Sequence, residues 1–205
     1  FRYERQETQW RFIGRTAARG SLPFPALRGP YQMKNASAAL AVLDSLRERL
    51  PVSQGHVKQG LLGVEWPGRM QVLPGRPTVV LDVAHNPHAA RALDDALGGM
   101  GYHPHSYAVF GMLKDKDIDS VIEILKHRFD HWFIAGLESI NDRGATLESL
   151  AGRLAAHGLT GRFSRHVSIL HAYAAAREQA GQDDRIVAFG SFHTVAEIAR
   201  FRPST

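Results

Sequence analysis

The chain has 205 residues, 44% of them hydrophobic, with 25 Lys and Arg against 20 Asp and Glu, a formal net charge of +5. This balance excludes a disordered, collagen-like or low-complexity chain. The lack of any cysteine excludes a disulfide scaffold, a thiolate metal site and a cysteine nucleophile. No apolar run approaches the ~18–20 residues of a membrane span, and the opening FRYERQETQWRF has no signal-peptide pattern. The surplus of positive charge permits an anionic partner without naming one, since nucleic acid, nucleotides and carboxylate metabolites all fit. The chain begins with Phe1 rather than Met, so a fragment of a longer protein is expected.

Residues 1–5 and 10–13 carry β-favouring side chains and predict short strands, and Gly20, Pro23 and Pro25 break the stretch after them. Helical periodicity covers residues 31–50, with Pro30 suited to a first helical position and Ala36, Ala39, Leu40, Leu43 and Leu46 on one face. Pro51 stops that helix, and Ser53 is placed to cap a second through Leu62. The loop at 65–68 marks the expected boundary between a first segment, 1–66, and a second, 67–205.

Beyond that loop the character changes. Strands are predicted at 69–73, 78–83, 106–112, 131–137 and 185–190, and helices at 88–99, 118–129, 146–157, 168–180 and 192–201. TVVLDV at 78–83 is apolar on both faces, as a central strand covered on both sides requires. Alternating strands and helices imply a mostly parallel, three-layer α/β sheet. Such sheets bind ligands outside the carboxyl ends of their strands.

Several nucleotide and hydrolase signatures are missing: there is no G-x-G-x-x-G after a strand, no Gly-Lys phosphate loop, no H-E-x-x-H and no G-x-S-x-G. Three strand exits carry polar residues instead. Asp82 and His85 close an otherwise apolar strand, where an Asp often accepts from ribose hydroxyls; the plainer reading makes Asp82 or Asn86 a helix cap with Pro87 behind it. Asp82, His85 and His88 fit a metal set by spacing, but 11 histidines make chance pairs common, and no metal ligand is assigned. Lys114 and Lys116 come after the second exit, fit either for an anionic ligand or for a solvated loop. Ser191 comes after the third, where a helix start suits a carboxylate or phosphate, or merely an N-cap. Arg69 and Asn35 stand alone: an isolated Arg is usually a surface residue, and Asn is a poor helix former.

Taken together, PGRMQ at 67–71, DVAHNPHAA at 82–90, FGMLKDKD at 110–117, Arg143-Gly144-Ala145 and GSFHTV at 190–195 resemble the folylpolyglutamate synthase / dihydrofolate synthase family of muramyl-ligase-like, ATP-dependent amide ligases. FRYE, Trp10-x-Phe12 and the helix around Lys34-Asn35-Ala36 resemble it upstream, so the likeness covers nearly the whole chain in the family's order. Asp-Val-Ala-His in place of Asp-Gly-Ala-His points to the bacterial, often bifunctional, branch.

The resemblance implies a Rossmann-like C-terminal ligase domain at 67–205, preceded by the tail of an ATP-binding domain at 1–66. The family's Gly-Lys-Ser phosphate loop, Mg2+ ligands and modified lysine have no counterpart in these residues, so the chain is expected to be inactive alone. The implied reaction activates a folate-side carboxylate as an acyl phosphate with ATP, and L-glutamate then attacks. In that scheme Asn35 meets the adenine, Arg69 the phosphates and Asp82 the ribose. His85 and Ser191 lie on the glutamate side, with Lys114 and Lys116 as further candidates there. Arg69 and His85 would be the catalytic pair. The implied partners are ATP, L-glutamate and dihydropteroate or folate, for a cytoplasmic monomer that binds neither nucleic acid nor membrane. Two rivals remain: a stand-alone α/β module for an anionic metabolite, and a muramyl-type amino-acid ligase domain.

Overall fold

The computed structural model describes residues 1–29 and 31–201; Pro30, expected to open a helix, lies outside them. The chain divides into two compact units, Phe1–Trp66 and Pro67–Thr205.

In the first unit, strands β1 (Arg2–Arg5), β2 (Trp10–Ile13) and β3 (Ala18–Leu22) form an antiparallel meander, β1-β2-β3. β3 runs through Gly20, where the sequence suggested only a break. Helices α1 (Gln32–Ser45) and α2 (Gln54–Gly63) complete the unit, and Ser53 caps α2 by accepting from the His56 N–H at 3.1 Å. The buried stripe of α1 is Met33, Ser37, Leu40 and Asp44, not the alanine-rich face expected. The polar members of that stripe are satisfied internally. Ser37 Oγ donates to the Met33 carbonyl and Thr16 Oγ1 donates to Asp44, each at 2.8 Å. Apolar periodicity cannot register such residues. Trp10, Phe12, Leu22, Met33, Leu40, Val57 and Leu61 form the core of the unit.

The second unit is built on a six-stranded sheet of order β4-β5-β9-β6-β7-β8. Its strands are β4 (Gln71–Leu73), β5 (Thr78–Leu81), β6 (Ser106–Phe110), β7 (His131–Ala135), β8 (Phe163–His166) and β9 (Arg185–Phe189). Only β4, at one edge, runs antiparallel to its neighbour; the other four pairings are parallel. β8 at the opposite edge went unpredicted, because its FSRH sequence carries one apolar residue and none of its residues is fully buried.

Helices α3 (Pro87–Gly98), α4 (Ile118–Leu125) and α5 (Leu147–Ala156) cover one face of the sheet, burying Leu93, Ile122 and Leu150 against Val80, Phe110, Trp132 and Phe189. Helices α6 (Ile169–Gln179) and α7 (Phe192–Arg200) cover the other, with Ala172, Tyr173 and Ile198 among residues packed with Leu81, Val109, Phe133 and Ala188. Alternate residues of each central strand thus serve opposite layers. That is why these strands read as continuous apolar runs.

The central strands stop earlier than expected. β5 ends before Asp82, β6 before Gly111, β7 before Gly136 and β9 before Gly190. Each residue after the end is polar or lacks a side chain, and there the backbone leaves the ladder. Because these four strands are parallel, all four exits open on one edge of the sheet.

Candidate functional site

The β5 exit is fixed by Asp82. Its side chain is 7% exposed, Oδ2 accepting from the Met70 N–H at 2.9 Å and Oδ1 from the Ala84 N–H at 2.8 Å. Burial pushes its carboxyl above the usual carboxylate range, opposed by those two hydrogen bonds and by nearby Arg69 and His85. Asp82 therefore staples the turn bearing Arg69 to the end of β5. Gly68, at φ +72°, and Met70, at φ +44°, shape that turn, and the Gly68 carbonyl accepts from the Val83 N–H at 2.8 Å. Arg69 itself is exposed. The helix-cap role weighed for Asp82 gives way to this staple, whose two backbone bonds are a finding of the structure.

His85 lies in the loop just beyond β5, its Nδ1 2.7 Å from the Val83 carbonyl. A carbonyl only accepts, so Nδ1 carries the proton, and Nε2 of the neutral ring is left as an acceptor. Asn86 caps α3, its side chain accepting from the Ala89 N–H at 2.9 Å, with Pro87 in the first turn. That is the plain capping role weighed for it.

The β6 and β7 exits zip together. The Ala145 N–H donates to the Met112 carbonyl at 2.9 Å, the Lys114 N–H to the Arg143 carbonyl at 2.8 Å, and Leu113 bridges Gly144 in antiparallel fashion. An added Cβ on Gly144 would lie 2.3 Å from the Leu137 carbonyl oxygen, so the close approach demands glycine. At the β9 exit, Gly190 adopts φ +108°. Ser191 then caps α7, Oγ accepting from the His193 N–H at 3.1 Å. Thr194 Oγ1 donates to the Gly111 carbonyl at 2.8 Å, tying α7 to the β6 exit.

These exits enclose a cleft of about 220 Å³ lined by His85, Leu113, Lys116, Arg143, Gly190, Ser191, Phe192 and His193. This is below the ~300–1,000 Å³ of sites for drug-sized ligands and suits a small metabolite. Of the predicted residues, His85, Lys116 and Ser191 come together here. Lys114 does not. Extended pairing sends neighbouring side chains to opposite sides, so Leu113 lines the cleft while Lys114 is exposed away from it. Asn35 belongs to the first unit, exposed on α1, its Nδ2 donating to Gln32 Oε1 at 3.1 Å. Sequence reasoning assigned no role to Arg143, Phe192 or His193; the Arg143-Gly144-Ala145 and GSFHTV strings were the available signals. Among the described residues no group of three or more His, Asp and Glu is arranged to hold a metal ion, and no helix is long and apolar enough to cross a membrane.

The fold agrees with the comparisons. Residues 68–192 match the family described as Mur ligase, glutamate ligase domain, and the chain belongs to that family. Within it, the chain is similar to dihydrofolate synthase/folylpolyglutamate synthases. The Escherichia coli K12 enzyme is 36% identical over 96% of this chain and 43% of its own length. The solved E. coli FolC in complex with ADP superposes with a TM-score of 0.83 at 35% identity, covering 97% of this chain and 45% of that one. A bifunctional folylpolyglutamate synthase/dihydrofolate synthase with Mn, AMPPNP and L-glutamate bound gives a TM-score of 0.81 at 35% identity, over 97% of this chain and 45% of that one. The chain thus spans less than half the length of these relatives, and what it matches is their C-terminal portion.

Proposed function

We propose that the chain is the amino-acid-binding part of an ATP-dependent amide ligase, which joins L-glutamate to dihydropteroate, folate or a folate polyglutamate. The observation that carries this is the convergence of His85, Lys116 and Ser191, from three separate strand exits, on one cleft within a glutamate ligase domain. In this reading residues 67–205 form the glutamate-binding domain and 1–66 belong to the tail of the ATP-binding one. The E. coli relative solved with ADP, and the bifunctional relative solved with Mn, AMPPNP and L-glutamate, support it.

The chemistry requires a carboxylate of the folate substrate to take the γ-phosphoryl group of ATP, releasing ADP. The amine of L-glutamate then attacks the acyl carbon, inorganic phosphate leaves, and an amide remains. Ser191 and the N-terminal turn of α7 would receive the α-carboxylate, where helix N–H groups and the helix dipole favour an anion. His85, held with Nε2 as acceptor, would orient the attacking amine. Arg69, on its stapled turn, would face the phosphates with a planar fork suited to two oxygens. Asp82 would offer its remaining lone pairs to the ribose, and Asn35 its side chain to the adenine. The divalent metal that such phosphoryl transfer uses is assigned to residues outside this chain, as is the phosphate loop. The 205 residues alone are therefore expected to release no ADP from ATP and L-glutamate. A cytoplasmic, monomeric enzyme without nucleic-acid or membrane partners goes with this reading.

Monitoring backbone amide resonances during titration with L-glutamate tests the assignment. Shifts should concentrate at residues 84–86, 113–116 and 190–194. Shifts confined to other regions, or none at all, would overturn it.

A further inference from the structure

The first unit holds a cavity of about 510 Å³ between the β2–β3 turn and the C-terminal end of α1. That volume falls in the ~300–1,000 Å³ range of small-molecule sites. The turn is closed by the Gly14 N–H, which donates to the Ala17 carbonyl at 2.8 Å, and it brings Arg15 and Thr16 to the cavity. Past Ser45 the helix gives way to turns, with the Leu50 N–H still donating to the Leu46 carbonyl at 2.8 Å. These turns bring Arg47, Glu48 and Arg49 to the facing wall.

Asp44 also lines the cavity and is 8% exposed. The Thr16 hydroxyl occupies its Oδ2, and among the described residues no group donates to Oδ1. A Cβ on Gly14 would lie 2.9 Å from Oδ2, so a glycine in the turn is what lets the carboxylate sit against it. A nearly buried carboxylate with an idle oxygen is costly unless something supplies a donor. Arg15, Arg47 and Arg49 are exposed and form no ion pair among the described residues. With Glu48 the lone carboxylate beside them at the rim, two positive charges are in excess there. The dipole of α1 accounts for cations just past its C-terminus. It accounts neither for Arg15 on the facing turn nor for the idle oxygen of Asp44.

We propose that this cavity binds a phosphate monoester of a hydroxylated metabolite, of sugar-phosphate size. A ligand hydroxyl donates to Asp44 Oδ1, and Arg15, Arg47 and Arg49 hold the phosphate. A phosphate monoester carries about −1.5 to −2 charge at pH 7, which matches the excess at the rim, and its oxygens suit guanidinium forks. The same rim repels a cationic ligand group, so the donor that meets Asp44 is a hydroxyl rather than an ammonium. The site stands apart from the reading of the cleft and does not depend on it.

Titration calorimetry of the 205-residue chain with ribose 5-phosphate, ribose and inorganic phosphate tests this, with backbone amide resonances locating the site. Ribose 5-phosphate should bind about tenfold or more tighter than either ribose or inorganic phosphate. Shifts should concentrate at residues 14–17 and 44–49. Asp44→Asn keeps an acceptor for Thr16 but turns a donor toward the cavity. Ribose 5-phosphate should then fall to the level of inorganic phosphate, which itself should not change. Because Asp44 is nearly buried, the double variant Arg47→Gln with Arg49→Gln supplies a second test at exposed positions. It should melt near the wild-type temperature and weaken both phosphates by the same factor, about tenfold or more. Four outcomes overturn the proposal: equal binding of ribose 5-phosphate and inorganic phosphate by the wild-type chain, no binding of either, shifts centred on other residues, or ribose 5-phosphate affinity that survives the double variant or a folded Asp44→Asn.

Discussion

Asp82 shows how one buried carboxylate fixes the architecture of a strand exit. It spans the turn at 67–70 and the end of β5, satisfying two backbone donors in a nearly buried place. Asp82→Ala removes both acceptors. Each orphaned buried N–H costs about 1–3 kcal/mol, partly offset by no longer burying a carboxylate. A net loss of about 1–3 kcal/mol in chemical denaturation is expected, and Asp82→Asn, which keeps one acceptor, should fall between. Wild-type stability in Asp82→Ala would show that the staple is idle. The residue types at this edge were legible because polar groups closed apolar strands, which located His85 and Ser191. The staple was not legible. Its partners are main-chain N–H groups, one of them across the turn at Met70, and no side-chain pattern reports them. Arg143 was missed for a related reason: it stands in a loop without periodicity and gains meaning only when the β6 and β7 exits zip together.

Among the elements, the β7–β8 edge carries a histidine pair bridged by a hydroxyl. Ser164 Oγ lies 3.2 Å from His131 Nε2 and 2.8 Å from His166 Nε2. Burial holds both imidazoles below their usual range, helped by Arg162 near His131 and by His131 and His171 near His166. The folded values are depressed below the unfolded one of about 6.5. Between those values the unfolded chain binds more protons, so stability rises with pH across that window and is lost as pH falls through it toward the folded values. The melting temperature should drop on acidification from about pH 7, and His131→Gln with His166→Gln should flatten the slope. An unchanged slope in the double variant would remove the pair as its source. The same edge marks the limit of reading elements from sequence. The fully buried strands β6 and β9 announced themselves as unbroken apolar runs, whereas β8 is short, polar and peripheral, and pairing with β7 alone makes it a strand.

For the whole molecule, the three layers of the second unit were legible from the alternation of elements, but the order of the strands was not. Each central strand is apolar on both faces, so any of them satisfies the middle of the sheet equally well by composition. What decides is long-range pairing: β9 hydrogen-bonds to β5 through Thr78↔Arg185 to Leu81↔Ala188 and to β6 through Ser106↔Arg185 to Phe110↔Phe189. Without β9 the sheet falls into a two-stranded piece, β4-β5, and a three-stranded piece, β6-β7-β8. A chain ending at residue 184 should therefore lose the cooperative melting of the second unit, since two open ladder edges and two apolar faces would meet water. Cooperative melting of that shortened chain near the full-length temperature would show that β9 is dispensable.

The central place of β9 also sets an order of events during synthesis. A ribosome makes the strand that joins the two halves of the sheet after all the others. Until then the halves wait with unpaired edges, a period in which a growing chain is open to aggregation and to chaperone capture. Gly190 and Ser191 leave the exit tunnel just behind that strand, so the cleft closes in the same moment as the sheet. A message cut short upstream of that point yields a polypeptide that does not settle and lacks one wall of the cleft, and a cell's proteolytic surveillance meets a product that is plainly unfolded.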